Sequence, residues 1–244
     1  MDYTKYCAIT FNGNLLDKLI PGYVTTNVDG RDLFVKNVES IIIPGRDGEY
    51  IISTRYPAKN IKVDFAILGQ NNKDKRKNLL MLNNYLYSEN EIEFSFSDEE
   101  GVRYGIVIET ENPDYKYFQG EGSYIIKCHD PFLYSDIKNS NKKIESRYPH
   151  DVKIEKIELT IAKQTGKLII KNITRGTKII LNGSFSVGDN VIIQKNMITK
   201  NNQNIMNYLD YIESDDQEFK AFNNDEIICN ESNDVKIEYR ERIS

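Results

Sequence analysis

Three adjacent residues, Cys128, His129 and Asp130, have the side-chain types that cysteine hydrolases use as nucleophile, base and orienting group. They lie in the stretch KCHDPFLYSD, residues 127–136. Catalysis of this kind requires the three groups to meet in one cleft. The sequence offers few bases for it, because His129 and His150 are its two histidines.

The stretch before these residues, SYIIKC, has the composition of a β-strand. Side chains alternate along a strand, so Cys128 and Asp130 point to one side and His129 to the other. His150 lies in a polar segment beside Pro149. We therefore expect a buried structural cysteine rather than an active site, and we assign no catalytic residue.

The cysteines and histidines also argue against metal and cofactor sites. Cys7, Cys128 and Cys229 are far apart, which fits neither a disulfide framework nor a CxxC metal site. The two histidines do not have the i, i+4 spacing of a zinc helix. We expect free, mostly buried thiols in a protein assembled in a reducing cytoplasm, with no metal ion and no cofactor.

The charge balance bears on possible partners. The 244 residues include 37 acidic and 32 basic ones, for a formal net charge of -5. Such a chain has no overall positive field with which to hold a phosphate backbone, so nucleic acid is not expected as a specifically bound ligand. No apolar run approaches the ~18 residues of a membrane span, and we expect neither an export signal nor a membrane anchor.

The first half of the sequence predicts a β domain with one helix. Ile61, Val63, Phe65 and Ile67 alternate with more polar residues, as in a strand that covers a core. A helix is predicted over residues 72–88, with Asn71 or Asn72 as its N-cap and an apolar stripe on one face. The segments IEFSF and VRYGIVIET around DEEG predict a hairpin. We place this domain at residues 1–136.

The second half predicts a separate β domain. Residues 137–149 are polar and lack apolar periodicity, so we interpret them as a linker. From residue 150 to residue 244, short β-rich runs such as LIIKN, TKIILNG and NVIIQKN are separated by Gly and Asn turns. This spacing is typical of a β-sandwich or jelly roll. The fold class is therefore mainly β, with two domains.

Several segments together resemble the distal tail (Dit) proteins of long-tailed bacteriophages. They are IIIPGRDGEY, IKVDFAILG with the following helix, IEFSFSDEEGVRYGIVI and GEGSYIIKCHDPFLYSD. The family's N-terminal domain ends in an Asp-Pro-aromatic sequence, here Asp130, Pro131 and Phe132. GKLIIKNITRGTKIILNGSFSVGDNVIIQ and DVKIEYRERIS resemble the family's galectin-like C-terminal sandwich.

This resemblance implies a non-enzymatic structural protein of the virion, located at the distal end of the tail and assembled in the host cytoplasm. The tail-tube-like N-terminal domains of six copies would form a hexameric ring that joins the tail tube and leaves a channel for DNA. The implied partners are the tail tube protein, a tail-associated lysin or tail-fibre protein, and a receptor-binding protein or host-surface carbohydrate held by the C-terminal domain.

A ring needs contacts that repeat and close, and a hairpin extending onto a neighbour supplies them. IIIPGRDGEYIIS, within residues 41–58, has apolar flanks around a charged turn, and its candidate contact residues are Ile43, Pro44, Gly45, Arg46, Asp47, Gly48 and Tyr50. An ordinary hairpin within the domain remains an alternative. So do two other functions, a carbohydrate-binding adhesion module acting through the C-terminal sandwich and a tail-associated hydrolase.

Overall fold

The computed structural model describes residues 7–116, 119–215, 219–232 and 234–244. The chain divides between Leu133 and Tyr134 into two compact units. This division lies three residues before the end of the N-terminal domain that the sequence predicts. Each unit has its own hydrophobic core, as expected for a domain.

The first unit is built on a seven-stranded antiparallel sheet of order β2-β1-β7-β8-β9-β6-β3. The elements of this unit are β1 (Ile9–Phe11), β2 (Asn14–Leu15), α1 (Leu16–Leu19), β3 (Tyr23–Asp29), β4 (Asn37–Ile41), β5 (Tyr50–Arg55), β6 (Lys59–Leu68), α2 (Asn72–Leu86), β7 (Ile92–Phe96), β8 (Arg103–Lys116) and β9 (Gln119–Cys128). β8 pairs with β7 near its start and with β9 from Ile106 onward. One long strand therefore links the two parts of the sheet.

Strand alternation places the core on one face of this sheet. Ile61, Val63, Phe65 and Ile67 of β6 are all buried, as their spacing predicts, whereas Lys62 between them is exposed. The α2 helix adds Leu82 and Leu86 to the same core.

The N-terminus of α2 also follows the prediction. The side chain of Asn71 caps it by accepting a hydrogen bond from the backbone N–H of Asp74, at 2.9 Å. The helix ends at Leu86, two residues before the predicted end.

The second unit is a β-sandwich of a six-stranded sheet, ordered β11-β19-β12-β15-β16-β17, and a three-stranded sheet, ordered β14-β13-β18. Strand β10 (Leu133–Tyr134) contains the point of division. The strands that follow are β11 (Lys138–Asn141), β12 (Lys153–Thr160), β13 (Thr165–Asn172), β14 (Lys178–Phe185), β15 (Asn190–Gln194), β16 (Met197–Lys200), β17 (Gln203–Asn204), β18 (Ile227–Cys229), β19 (Asp234–Arg240) and β20 (Arg242–Ile243). A 3-10 turn spans Met206–Tyr208. The mainly β fold class is confirmed, and the short helix α1 adds to the predicted helix α2.

Residues 137–149 differ from the predicted linker. β11 pairs with β19 and forms an edge of the six-stranded sheet, and Ile144 just after it is fully buried. The sequence of this segment resembles a linker because β11 is an edge strand, and edge strands commonly carry polar and charged side chains. Its composition is polar, but its backbone belongs to the second unit.

A buried carboxylate organises the loops at one end of this sandwich. Asp225 is almost fully buried, and its Oδ2 accepts hydrogen bonds from Asn172 Nδ2 at 2.9 Å, Arg175 Nε at 2.7 Å and the backbone N–H of Phe222 at 3.0 Å. The Arg175 guanidinium also lies 3.7 Å from the ring centre of Phe222. One carboxylate oxygen therefore joins the turn after β13 to the loop that precedes β18.

Replacing this carboxylate is expected to destabilise the second unit. Asp225→Ala removes the acceptor shared by Asn172, Arg175 and the backbone of Phe222, although the Asn172 amide keeps its bond to the Lys220 carbonyl, and it should lower the free energy of unfolding by about 2 kcal/mol. Asp234→Ala is the matched control, because Asp234 is exposed and forms a long ion pair with Lys236, at 3.6 Å; a change within about 0.5 kcal/mol is expected there. Urea unfolding measures both, and equal midpoints would contradict the role of Asp225.

Candidate subunit-contact hairpin

The structure separates the three residues that suggest catalysis. Cys128 ends β9 with its side chain buried, whereas His129 is exposed and its Nδ1 lies 2.7 Å from Glu91 Oε1. Asp130 accepts a hydrogen bond from the backbone N–H of Phe132 at 3.3 Å. The thiol and the imidazole thus lie on opposite sides of the strand, as alternation predicts, and share no cleft.

The electrostatic environment of Cys128 opposes nucleophilic chemistry. Burial raises the pKa of its thiol to about 12, against the smaller opposing effect of the Arg103 guanidinium. The thiolate is the reactive form, so a raised pKa makes the thiol inert at neutral pH. Burial also raises the pKa of the Cys229 thiol.

Metal-ligand clusters and cavity linings are the other features of the described residues that bear on chemistry. Within those residues there is no group of three or more His, Cys, Asp or Glu side chains that could hold a metal ion. A cavity between α2 and the sheet is lined mainly by apolar residues, among them Leu79, Leu82 and Leu86, and its charged groups are Arg76 and Glu111. The lining also carries the hydroxyls of Thr110 and Ser123, and it includes no histidine or cysteine.

The feature that stands out instead is the hairpin formed by β4 and β5. Among the described strands these two form a sheet of their own, separate from the seven-stranded sheet. Their register runs from Asn37 opposite Arg55 to Ile41 opposite Tyr50, with an irregularity between Glu39 and Ser40. Every residue of both strands is exposed. An isolated two-stranded hairpin is marginally stable in water, so this one needs further support.

The seven candidate contact residues lie at the tip of this hairpin. Ile43, Pro44, Gly45, Arg46, Asp47 and Gly48 form the connecting loop, and Tyr50 is the first residue of β5. The backbone N–H of Arg46 donates to the carbonyl of Ile43 at 3.1 Å. Proline followed by a glycine at φ +84° is the pattern of a type II turn. Gly45 is therefore required by the backbone angle rather than by lack of space.

The hairpin exposes apolar side chains over its whole length. The exposed large hydrophobic residues are Leu33, Val35, Val38, Ile41, Ile42, Ile43, Tyr50, Ile51 and Ile52. The Glu39 carboxylate accepts a hydrogen bond from Ser53, which lies opposite it in the register. Monomeric proteins seldom expose contiguous apolar surface of this kind unless another protein covers it.

Sequence reasoning missed two residues at the base of the hairpin. Phe34 lies three residues before β4 and Tyr56 follows β5 directly, and their rings contact each other with centres 5.6 Å apart. The available signal was an aromatic residue on each side of a segment otherwise rich in turn formers and β-branched residues. Periodicity within a strand does not reveal it, because both residues lie outside the strands.

Family comparison agrees with this architecture. The model of a phage tail protein RIFT-related domain matches residues 18–173, which is more than half of the chain. A second model, the C-terminal domain of a siphovirus-type tail component, matches residues 152–242. The chain belongs to the distal tail protein family of siphophages. It is accordingly a structural component of the phage tail and hence of the virion.

Solved structures show the same fold at low sequence identity. The crystal structure of the Dit protein of phage SPP1, described as a paradigm of the hub adsorption apparatus in phages that infect Gram-positive bacteria, has a TM-score of 0.80 at 16% identity and covers 97% of this chain and 99% of its own. A chain of the phage p2 baseplate in its activated conformation with strontium has a TM-score of 0.59 at 8% identity, covering 94% and 93%. A structure of that baseplate with calcium gives the same values. Curated proteins contain no match to the chain.

The described helices include none that is long and apolar enough to cross a membrane. The helix α2, for comparison, spans Asn72–Leu86 and carries a largely polar sequence. It packs on the sheet through one face.

The reactivity of Cys128 tests the assignment of a structural thiol. With a pKa of about 12, roughly one thiol in ten thousand is ionised at pH 8, compared with about a quarter for an ordinary cysteine. Iodoacetamide should therefore modify Cys128 at least about a hundredfold more slowly in the native protein than in urea. Raising the pH from 8 to 9 should increase the slow rate about tenfold, because the pH remains below the pKa. Mass spectrometry of the labelled peptides distinguishes Cys128 from Cys7 and Cys229. Rapid labelling of Cys128 in the native protein would contradict the structural role and support the nucleophile hypothesis.

Proposed function

We propose that this chain is the distal tail hub of a siphophage, and that it forms a hexameric ring which joins the tail tube to the tail-tip apparatus and leaves a channel for DNA. In this role it is not an enzyme. The observation that carries the proposal is the exposed apolar hairpin β4–β5 in a chain of the distal tail family. The description of the SPP1 and p2 relatives as hub and baseplate proteins supports the same assignment.

The hairpin meets the physical requirements of a ring contact. A closed ring is built from heterologous contacts, in which one patch of each copy meets a different patch of the next. The outer edges of β4 and β5 carry backbone groups available for pairing, and the side chains of Ile43 and Ile51 offer apolar area for burial. The separation of this hairpin from the main sheet supports an intersubunit role over the alternative of an ordinary internal hairpin.

The charge of the chain is compatible with a DNA channel. DNA that slides through a ring is retarded by each lysine or arginine that neutralises a phosphate. A formal net charge of -5 per chain provides no general excess of such groups. The ring is proposed to pass DNA without binding it specifically.

The second unit is proposed to carry the attachment function. It exposes Ile212 almost completely, together with Tyr211 and Val187. Ile212 and Val187 have no group that hydrogen-bonds a sugar, and tyrosine is enriched in protein–protein interfaces. A receptor-binding protein is therefore the proposed partner of this unit. The proposed partners of the ring are the tail tube protein and a tail-associated lysin or fibre. The ring is proposed to assemble in the host cytoplasm.

A charged residue at the hairpin tip is expected to prevent ring formation. In Ile43→Asp the contact would have to bury a carboxylate in an apolar surface, so the protein concentration at half-assembly should rise at least about tenfold. Sedimentation velocity over a concentration series, with electron microscopy of the assembled particles, measures the change.

Ile173→Asp is the matched control, because Ile173 lies in the second unit and is 45% exposed, close to the 42% of Ile43. It should assemble like the unmodified protein. Both variants should keep the same unfolding midpoint, since neither side chain is in a core. Unchanged assembly of Ile43→Asp, or equal loss in both variants, would contradict the proposed contact.

A further inference from the structure

The contact hairpin is attached to the rest of its unit at very few points. Between residues 32 and 58 every residue is exposed except Phe34, Tyr56 and Pro57. Phe34 precedes β4 and Tyr56 follows β5, so the two legs of the hairpin each carry one partly buried aromatic ring. The direction in which the hairpin extends therefore depends on what these two rings contact.

Both rings contact Phe132. The ring centre of Phe132 lies 5.6 Å from that of Phe34, in a stacked arrangement, and 5.3 Å from that of Tyr56, edge to face. Phe34 and Tyr56 also meet edge to face at 5.6 Å. The three rings thus form a closed triangle, in geometries that aromatic pairs favour. Phe132 is its most buried member, at 7% exposure.

Two lysines flank this triangle. Lys59 Nζ lies 4.3 Å from the ring centre of Phe34, and Lys36 Nζ lies 5.2 Å from that of Tyr56. Cation–π contacts at these distances are attractive. Lys59 also donates a hydrogen bond to the backbone carbonyl of Arg31, just before the first leg. These contacts hold both legs to the same place on the unit.

The Asp-Pro-Phe sequence presents the Phe132 ring to the hairpin. β9 ends at Cys128, and the Asp130 carboxylate accepts a hydrogen bond from the backbone N–H of Phe132, which is the geometry of an Asx turn. Pro131 between them is buried and has a restricted φ. The turn therefore fixes the position from which the ring projects.

We propose that Phe132 is the positioning residue of the β4–β5 hairpin. By contacting Phe34 before β4 and Tyr56 after β5, it holds the two ends of the hairpin together and fixes the direction in which the hairpin extends. This inference rests on the proposed function in one respect, since the contact that the hairpin makes is the ring contact. The physical basis is independent of it. Holding both ends of the segment 34–56 at one site reduces its conformational freedom, which a free two-stranded hairpin would keep.

Hydrogen exchange of the dilute, unassembled full-length protein tests the positioning role. Phe132→Leu keeps apolar bulk but removes both aromatic pairs of Phe132, so amides of β4 and β5 should exchange at least about fivefold faster. The amides of β6 should be unchanged, and Phe132→Tyr, which retains the ring, should restore slow exchange in β4–β5.

Phe11→Leu is the matched control, because Phe11 is a core residue of the same unit whose ring contacts Phe94 rather than the hairpin. It should leave β4–β5 exchange unchanged even where it destabilises the core. Unchanged β4–β5 exchange in Phe132→Leu, or equal acceleration in Phe11→Leu, would overturn the inference.

Assembly measurements on the same variants separate this inference from the proposed function. Phe132→Leu should raise the concentration at half-assembly, and Phe132→Tyr should return it to that of the unmodified protein. If exchange responds to Phe132 but Ile43→Asp does not affect assembly, the positioning role stands and the ring contact is wrong. If exchange does not respond while Ile43→Asp abolishes assembly, the ring contact stands and Phe132 does not position it.

Discussion

The alternation of side chains along β-strands is the constraint on which the rest of the structure depends. In β6 it sends Ile61, Val63, Phe65 and Ile67 into one core and leaves Lys62 outside. In β9 the same alternation buries Tyr124, Ile126 and Cys128, and these side chains belong to the same core. Because β6 and β9 pair over ten positions, from Lys59 opposite Cys128 to Leu68 opposite Gln119, neither strand can shift by one residue without exposing its apolar set.

The β4–β5 hairpin shows what happens where this constraint is not satisfied within the unit. Alternation divides its side chains between two faces, but no second layer covers either face among the described residues, and all residues of both strands are exposed. The apolar residues Val38, Ile51 and Ile52 therefore contribute little to the stability of the isolated chain. Their burial is available for association, which is the physical reason that a hairpin of this composition fits a contact between copies.

Local patterns in the sequence were sufficient for much of the fold. The N-cap of α2, the core face of β6 and the pairing of β7 with β8 follow from capping chemistry, alternation and turn residues. One feature of the fold was beyond local patterns. The pairing of β11 with β19 joins segments about a hundred residues apart, and the polar residues of β11 carry no apolar signal for it.

The candidate site was predictable to the same extent. The tip residues from Ile43 to Tyr50 could be identified as a turn between apolar segments, because proline, glycine and charged residues mark turns. The meeting of Phe34, Tyr56 and Phe132 could not, because it joins three segments that only the pairing of β6 with β9 brings together. The stretch from Cys128 to Phe132 therefore contributes packing contacts. The Cys128 thiol lies in the core, and the Phe132 ring contacts the two aromatic rings at the base of the hairpin.

A ring also changes how strong a single hairpin contact has to be. An open chain of six copies has five contacts, and closure adds a sixth without the entropic cost of bringing in another subunit. The last contact forms at the high effective concentration that the other five impose. In the proposed ring a pairwise contact too weak for a stable dimer can therefore support a stable closed assembly, provided that its direction is correct. Geometry then matters more than contact area, because a hairpin that points in a variable direction loses the closing contact first.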